Sequence, residues 1–336
     1  MIYHLVFDGV ADGPLGVALE VVAAGERLAR SGLSGAEARG PSLRQRVVSL
    51  SGEPVQSGAG RVVAVDGALS PRSLRAGDVV VLPGLGAATE GQVSCLLARP
   101  DLQASAPLLR RAVEKRVWVA ASCSATFVLA AAGLLDAREA TTTWCLRDSF
   151  CRRFPRVKLR SDRMVVESET VFTAGAALAH ADLMLALLAR TQSPSLAHWV
   201  ARYLVLDERV SQARYLVFEH LRSADPTVRA LESFVSANLE RQVSLHEMAR
   251  AVATSPRTLA RRIKDALGTT PLAFVQRLRI GRAVHLLETT SDSVESVAAR
   301  VGYADAAAFR RVFRRETGDA PRHARSLRQT RREISS

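Results

Sequence analysis

Two stretches near the C-terminal end decide how the chain is read: SLHEMARAVATSPRTLARRIKDAL (Ser244–Leu267) and SVESVAARVGYADAAAFRRVFRRET (Ser293–Thr317). Each predicts a short helix, a tight turn and a second helix, apolar on one side and arginine-rich on the other. In the first stretch Leu245, Met248, Ala249 and Val252 form the buried stripe of the leading helix, and Leu259 and Ile263, four apart, form that of the second. Arg257, Arg261 and Lys264 then share the outward face, with Arg262 at its flank. In the second stretch Val297, Ala298 and Val301 precede Gly302 at the turn, and Phe309 and Phe313 point inward. That leaves Arg310, Arg311, Arg314 and Arg315 outward or at the edges, while Ala306, Ala307 and Ala308 keep the start of the helix slim.

Between them, PLAFVQRLRIGRAVHLLET (Pro271–Thr289) predicts one long amphipathic helix, able to hold both units rigidly. Two such units on one side of a duplex enter successive major grooves, about 34 Å apart. Pro256 and Pro271 stand near helix starts, where a missing N–H costs little. Gly268 and Gly318 follow the two basic helices, as expected of helix-ending left-handed residues, and 322–332 reads as a frayed basic tail.

Charge agrees with this placement. The 336 residues carry 46 Lys+Arg against 33 Asp+Glu, a net charge of +13. Residues 225–336 hold 20 basic and 12 acidic residues, so positive charge is densest where phosphates would have to be neutralised. Cys95, Cys123, Cys145 and Cys151 form no CxxC pair, no zinc spacing and no disulfide framework. The opening MIYHLVFDGV lacks a basic n-region and meets Asp8 before a signal-type apolar core forms, and no apolar run approaches a membrane span. The expectation is a soluble, reduced, cytoplasmic protein without metal or cofactor.

Residues 1 to about 190 alternate strand-like and helical patterns. Apolar runs at 3–7, 62–65, 79–82 and 117–121 read as buried strands; helices are expected over 17–30, 107–116, 126–135, 146–154 and 177–189. Residues 45–66 read as a meander or hairpin. The alternation implies an α/β domain with a largely parallel sheet. Residues 191–224 connect it to an all-helical domain over 225–330, with 199–206 packing on the first domain.

Within VWVAASCSATFVLAAAGLL (Val117–Leu135), Cys123 falls at a sharp strand-to-helix turn, the geometry of a nucleophile elbow. A helix N-terminus there would favour thiolate. Ala121 and Ala125 occupy the places where elbows usually carry glycine.

The stretches SPRTLARRIKDALGTTP, RLRIGRAVHLLE and VGYADAAAFRRVFRRETGDAPRHAR closely resemble the DNA-binding domain of the AraC/XylS family across residues 225–330. By that resemblance the base-facing positions are Arg257, Ala260 and Arg261 in the first recognition helix, and Ala306, Ala307, Arg310 and Arg311 in the second. Lys264 and Arg314 join them on the DNA-binding face. Alanines offer only apolar contact, such as to a thymine methyl, so hydrogen-bonded reading falls to the arginines.

LVFDGV, DVVVLPGLGA, ASCSATFVLAAAGLLDAREATTTW, RRFPRV and TAGAALAHADLMLALLAR resemble the DJ-1/PfpI (class I glutamine amidotransferase-like) superfamily over residues 1–190, which implies a flavodoxin-like fold. The combination looks like a GlxA-type transcriptional regulator. The resemblance implies a sensor and dimerisation domain that binds a small metabolite near Cys123, Ser124, Asp12, Pro14, Gly84, Thr143 and His180. It also implies a homodimer on promoter DNA, acting through RNA polymerase, as activator. Cys123 matches the nucleophile position, but Thr143 stands where relatives often carry His, and Pro14, with Asp12 nearby, where active relatives hold a carboxylate. Without base and orienting acid a thiol is weakly activated, so no catalytic residue is expected. The rival reading is a DJ-1-like cysteine-dependent hydrolase or glyoxalase-type enzyme with an appended DNA-binding tail. A third is a DNA-binding protein whose first domain only dimerises.

Overall fold

The computed structural model describes residues 1–31, 43–160, 163–207, 209, 225–267, 269–317 and 320–322. Gly268, Gly318 and most of the basic tail lie outside them. The chain divides into two compact units, Met1–Gln212 and Ala213–Ser336.

In the first unit the elements run β1 (Ile2–Leu5), α1 (Asp12–Arg30), β2 (Gln45–Val48), β3 (Val55–Gln56), β4 (Val62–Val63), β5 (Val79–Leu82), α2 (Glu90–Ala98), α3 (Pro100–Glu114) and β6 (Trp118–Ser122). They continue as α4 (Thr126–Ala131), β7 (Glu139–Ala140), α5 (Arg147–Arg153), β8 (Lys158–Leu159), β9 (Val165–Ser168), β10 (Val171–Ala174), α6 (Ala179–Thr191) and α7 (Pro194–Tyr203). The main sheet has the order β2-β1-β5-β6-β10-β9, parallel except where β9 meets β10.

Its central strands are buried at every position but Trp118, and mostly apolar, because both faces are covered. Tyr3, Leu5, Val80, Leu82, Val119 and Ala121 face a core closed by α2, α3, α4 and α5. Ile2, Val79, Val81, Ala120 and Phe172 face the other, closed by α1, α6 and α7. The chain leaves β1 for β2 on one side and returns to β5 on the other. This change of direction falls at the carboxyl ends of β1 and β5, where α/β folds place ligands. The loops meet there: the Ala11 amide donates to the Gly84 carbonyl at 2.8 Å.

Several expectations need correcting. Val62–Val63 is not a buried strand of the sheet; it pairs antiparallel with β3 in a separate ribbon, and Val62 is 77% exposed. Residues 45–48 do not join that ribbon but add a parallel strand beside β1. The strands β9 and β10 and the helix α2 were not expected. α2 carries its own start signal, for Thr89 and Gln92 form a reciprocal capping box. α7 buries Leu196, Ala197 and Val200 against the α1/α6 side of the first unit.

The second unit contains α8 (Pro226–Ser236), α9 (Leu245–Ala251), α10 (Pro256–Leu267), α11 (Pro271–Thr289), α12 (Val294–Arg300) and α13 (Ala306–Thr317). It has two cores. Val228, Leu231, Met248, Leu259, Ile263, Phe274 and Leu278 make one. Ala283, Leu287, Val297, Phe309 and Phe313 make the other. The amino-terminal half of α11 belongs to the first and its carboxyl-terminal half to the second. Among the described residues no helix is long and apolar enough to cross a membrane, and no three His, Cys, Asp or Glu side chains converge on a metal-sized site.

Candidate nucleic-acid interface and elbow site

Local chemistry fixes both helix-turn-helix units. Ser244 caps α9 through the Glu247 amide at 3.2 Å, and the Glu247 carboxylate accepts from the Ser244 amide at 2.8 Å. The Ser255 hydroxyl accepts from the Thr258 amide and starts α10. In the second unit Ser293 caps α12, accepting from the Ser296 amide at 3.0 Å. The Asp305 carboxylate accepts from the amides of Ala307 (2.8 Å) and Ala308 (3.0 Å) at the head of α13, and those amides hold its pKa below the usual carboxylate value. Each turn passes through one left-handed residue: Ala253 at φ +50° and Gly302 at φ +80°.

With Leu259, Ile263, Phe309 and Phe313 buried, the opposite faces of α10 and α13 are solvent-facing. Arg257, Arg261 and Lys264 are exposed and Ala260 half-buried; Ala307, Arg310, Arg311 and Arg314 are exposed and Ala306 half-buried. The cations divide by partner. Arg310 pairs with Glu295 of α12. Arg262 reaches Asp225 at 3.5 Å and Thr227, and Arg315 pairs with Glu316 at 2.8 Å. Among the described residues Arg257, Arg261, Lys264, Arg311 and Arg314 have no ion-pair partner. Each recognition helix therefore presents uncompensated positive charge, the form that displaces counterions from a phosphate backbone.

Within the second unit the two helix-turn-helix motifs are tied by a contact that sequence reasoning missed. Arg279, 5% exposed, donates to the carbonyls of Gly302 (3.2 Å) and Arg241 (2.7 Å), and its guanidinium lies 5.7 Å from the centre of the Tyr303 ring. Gly302 was visible as a turn glycine, but nothing in the pattern identified which arginine approaches it. Glu295, the partner of Arg310, was missed for the same reason.

In the first unit Cys123 follows β6 with φ +55°, the strained backbone of an elbow. Gly84 backs onto it so closely that a Cβ there would lie 3.1 Å from the Cys123 Cβ. The Ser124 hydroxyl accepts from the Leu85 amide at 3.0 Å, and the Thr142 hydroxyl donates to the Cys123 carbonyl at 2.8 Å. Thr143 stands 3.4 Å from the Cys145 sulfur, and its hydroxyl also bonds to Cys123. Cys123, Ser124, Gly84 and Thr143 are thus brought together.

The other three expected pocket residues have different surroundings. Asp12 opens α1 but turns to the loop beyond β3: its carboxylate accepts from the Ala59 amide at 3.2 Å and is held low chiefly by the Ser57 hydroxyl. Pro14 is buried in the first turn of α1. His180 is fully buried, its Nδ1 2.8 Å from the Ser122 hydroxyl on the α6 side of the sheet. Burial, and secondarily the charge on His4, lowers its pKa to about 3.

The expected thiolate is corrected by the structure. Burial pushes the Cys123 thiol up, outweighing the stabilisation from the Ser124 amide and the Thr143 and Ser124 hydroxyls. The helix that follows is only a 3-10 turn (Cys123–Ala125) leading into six residues of α4, a weak dipole to set against desolvation. The groups bearing on this thiol are hydroxyls, an amide and the second thiol of Cys145, none of which is a general base near neutral pH.

Fold and surface together define a two-part chain, a flavodoxin-like α/β domain joined to a double helix-turn-helix of the AraC type. The chain belongs to the DJ-1/PfpI family, whose family model matches residues 3–190, and it carries a helix-turn-helix domain matched over residues 248–326. It is similar to the HTH-type transcriptional regulator CdhR of Pseudomonas aeruginosa, 28% identical over 84% of this chain and 82% of that one. It is similar also to the regulator ArgR of the same organism, 29% identical over 66% of this chain and 68% of that one. With the regulator GlxA of Rhizobium meliloti it shares 29% identity over 66% of this chain and 69% of that one.

Proposed function

We propose that the chain is a sequence-specific transcriptional activator, working as a homodimer on promoter DNA and controlled by a small metabolite. The observation that carries the reading is the pair of recognition helices whose outward cations Arg257, Arg261 and Lys264, and Arg311 and Arg314, form no salt bridge among the described residues. Ala260, Ala306 and Ala307 lie between them and let the helix backbone come close to base edges. Arg310 joins the interface by exchanging Glu295 for DNA. The relatives, all HTH-type transcriptional regulators, support the same assignment.

The metabolite site we place at the crevice beyond β5 and β6, with Cys123, Ser124, Gly84 and Thr143 at its wall. Asp12 and Pro14 form the adjoining rim through the start of α1, and His180 buttresses the elbow from beneath through Ser122. A thiol kept neutral, ringed by hydroxyls, suits hydrogen bonding to a polar ligand better than attack on one. Ligand acts by preferring one arrangement of the dimer, which shifts DNA affinity or contact with RNA polymerase.

Genome-wide mapping of sites bound by the purified full-length protein tests the first part. Enrichment of repeated half-sites upstream of a small set of genes is expected; uniform binding at near-physiological salt refutes it. Metabolites of the neighbouring genes then enter a thermal-shift assay, in which a hit that survives Cys123→Ser but leaves operator affinity unchanged refutes the control mechanism.

A further inference from the structure

A cavity of 520 Å³ lies between the two helix-turn-helix units, within the range of small-molecule sites. The start of α9, the start of α11 and the turn into α13 line it, so both units contribute walls. Leu245, Met248, Leu272 and Val275 make it apolar, and Leu272, 67% exposed, sets a greasy rim at its mouth.

Two polar groups in this lining are left incomplete. Arg279 is buried and bonded only to carbonyls, with no carboxylate partner among the described residues, and its Nε has no hydrogen-bond acceptor. The Tyr303 hydroxyl is likewise buried without a partner. The one acid of the lining, Asp305, spends its carboxylate on the head of α13. A buried cation without a counter-ion and a buried hydroxyl without an acceptor each cost stability that an anionic acceptor would recover.

From the apolar walls and the uncompensated guanidinium, we propose that this cavity binds an amphipathic carboxylate. Its hydrocarbon body lies among Leu245, Met248, Leu272 and Val275, and its carboxylate is drawn to Arg279 and Tyr303, whose enclosed Nε and Oη it reaches as the lining yields. Because the walls come from both units, the ligand bears on how the two recognition helices are held, independently of the elbow crevice.

The test uses the full chain with decanoate as probe and decanol as its neutral counterpart, followed by calorimetric titration and hydrogen–deuterium exchange. Expected are saturable decanoate binding, decanol at least fivefold weaker, and slowed exchange over 245–248, 271–275 and 302–308. Tyr303→Phe, which removes one hydroxyl, and Leu272→Glu, at an exposed position that folding tolerates, should each weaken decanoate at least threefold, whereas Cys95→Ser, an exposed thiol outside both sites, leaves it unchanged. Absence of saturable binding, equal affinity for decanol, indifference to both cavity variants, or protection confined to the first unit would each overturn the proposal.

Discussion

Arg279 occupies the space that Gly302 leaves empty. A Cβ on residue 302 would lie 2.8 Å from Arg279 Nη2 and 2.9 Å from its Cζ, and closer still to the Leu239 carbonyl, while φ +80° already disfavours any side chain there. The turn of the second helix-turn-helix and the brace between the two helix-turn-helix motifs are one feature.

Gly302→Ala should therefore destabilise the second unit by about 2–4 kcal/mol, combining left-handed strain with overpacking. Ala253 sits at the matching turn of the first helix-turn-helix at φ +50°, where strain is present already. Ala253→Gly should be neutral or stabilising by up to about 1 kcal/mol. Thermal unfolding of both variants decides; equal losses would mean that the Arg279 contact contributes nothing.

Arg261→Ala and Arg311→Ala should each cost about 1–3 kcal/mol of operator binding and relax base preference at one site position. Glu295→Gln releases Arg310 and should strengthen binding modestly, with a steeper dependence on salt. Binding isotherms on the mapped operator and on single-base variants distinguish base readers from phosphate contacts, which weaken all sequences alike.

His4 and His180 make the first unit acid-sensitive. Burial is the main cause for both, lowering His4 to about 4 and His180 to about 3 from an unfolded value of 6.5. Their folded pKa values are depressed, so the unfolded chain binds more protons below pH 6.5. Stability is complete above that pH and falls as pH drops from 6.5 toward 4 and 3, by at most about 1.4 kcal/mol per pH unit per histidine. Melting temperature followed from pH 7.5 to 4.5 should fall, and His180→Asn should flatten the curve. A flat wild-type profile would show that the rings are not held neutral.

Cys123, half-buried, should react with iodoacetamide at pH 8 more slowly than the exposed Cys95, because desolvation raises its pKa. Peptide-level alkylation kinetics measure this directly. Cys123→Ser should leave operator affinity within twofold in the absence of ligand. Fast, selective alkylation of Cys123 would restore the thiol-enzyme reading.

The second unit was readable in detail because its signals are local. Leu259 and Ile263, Phe309 and Phe313 set the helix faces, and Ser244, Ser293 and the prolines mark the starts. The elbow was readable too, as strand, cysteine and small residues in succession. What escaped depends on the fold rather than on neighbours in the chain. β10 is a short apolar run, VFTA, whose role comes from insertion between β6 and β9. Val62 and Val63 have the composition of a core strand but lie in an exposed ribbon. The environment of Cys123 is set by Gly84 and by Thr142 and Thr143, so its titration was not deducible from a helix start. The motif leaves His180 either beside the pocket or on a helix packed near the sheet, and only the fold puts it behind Ser122.

The single helix α11 belongs to both cores of the second unit, lending Phe274 and Leu278 to one and Ala283 and Leu287 to the other. It works as a caliper without a hinge. Adding one base pair between the two contacted grooves swings one of them by about 35° of helical phase, which this caliper cannot follow. Tolerance for spacing in the control region should then lie outside the pair of grooves that one chain spans.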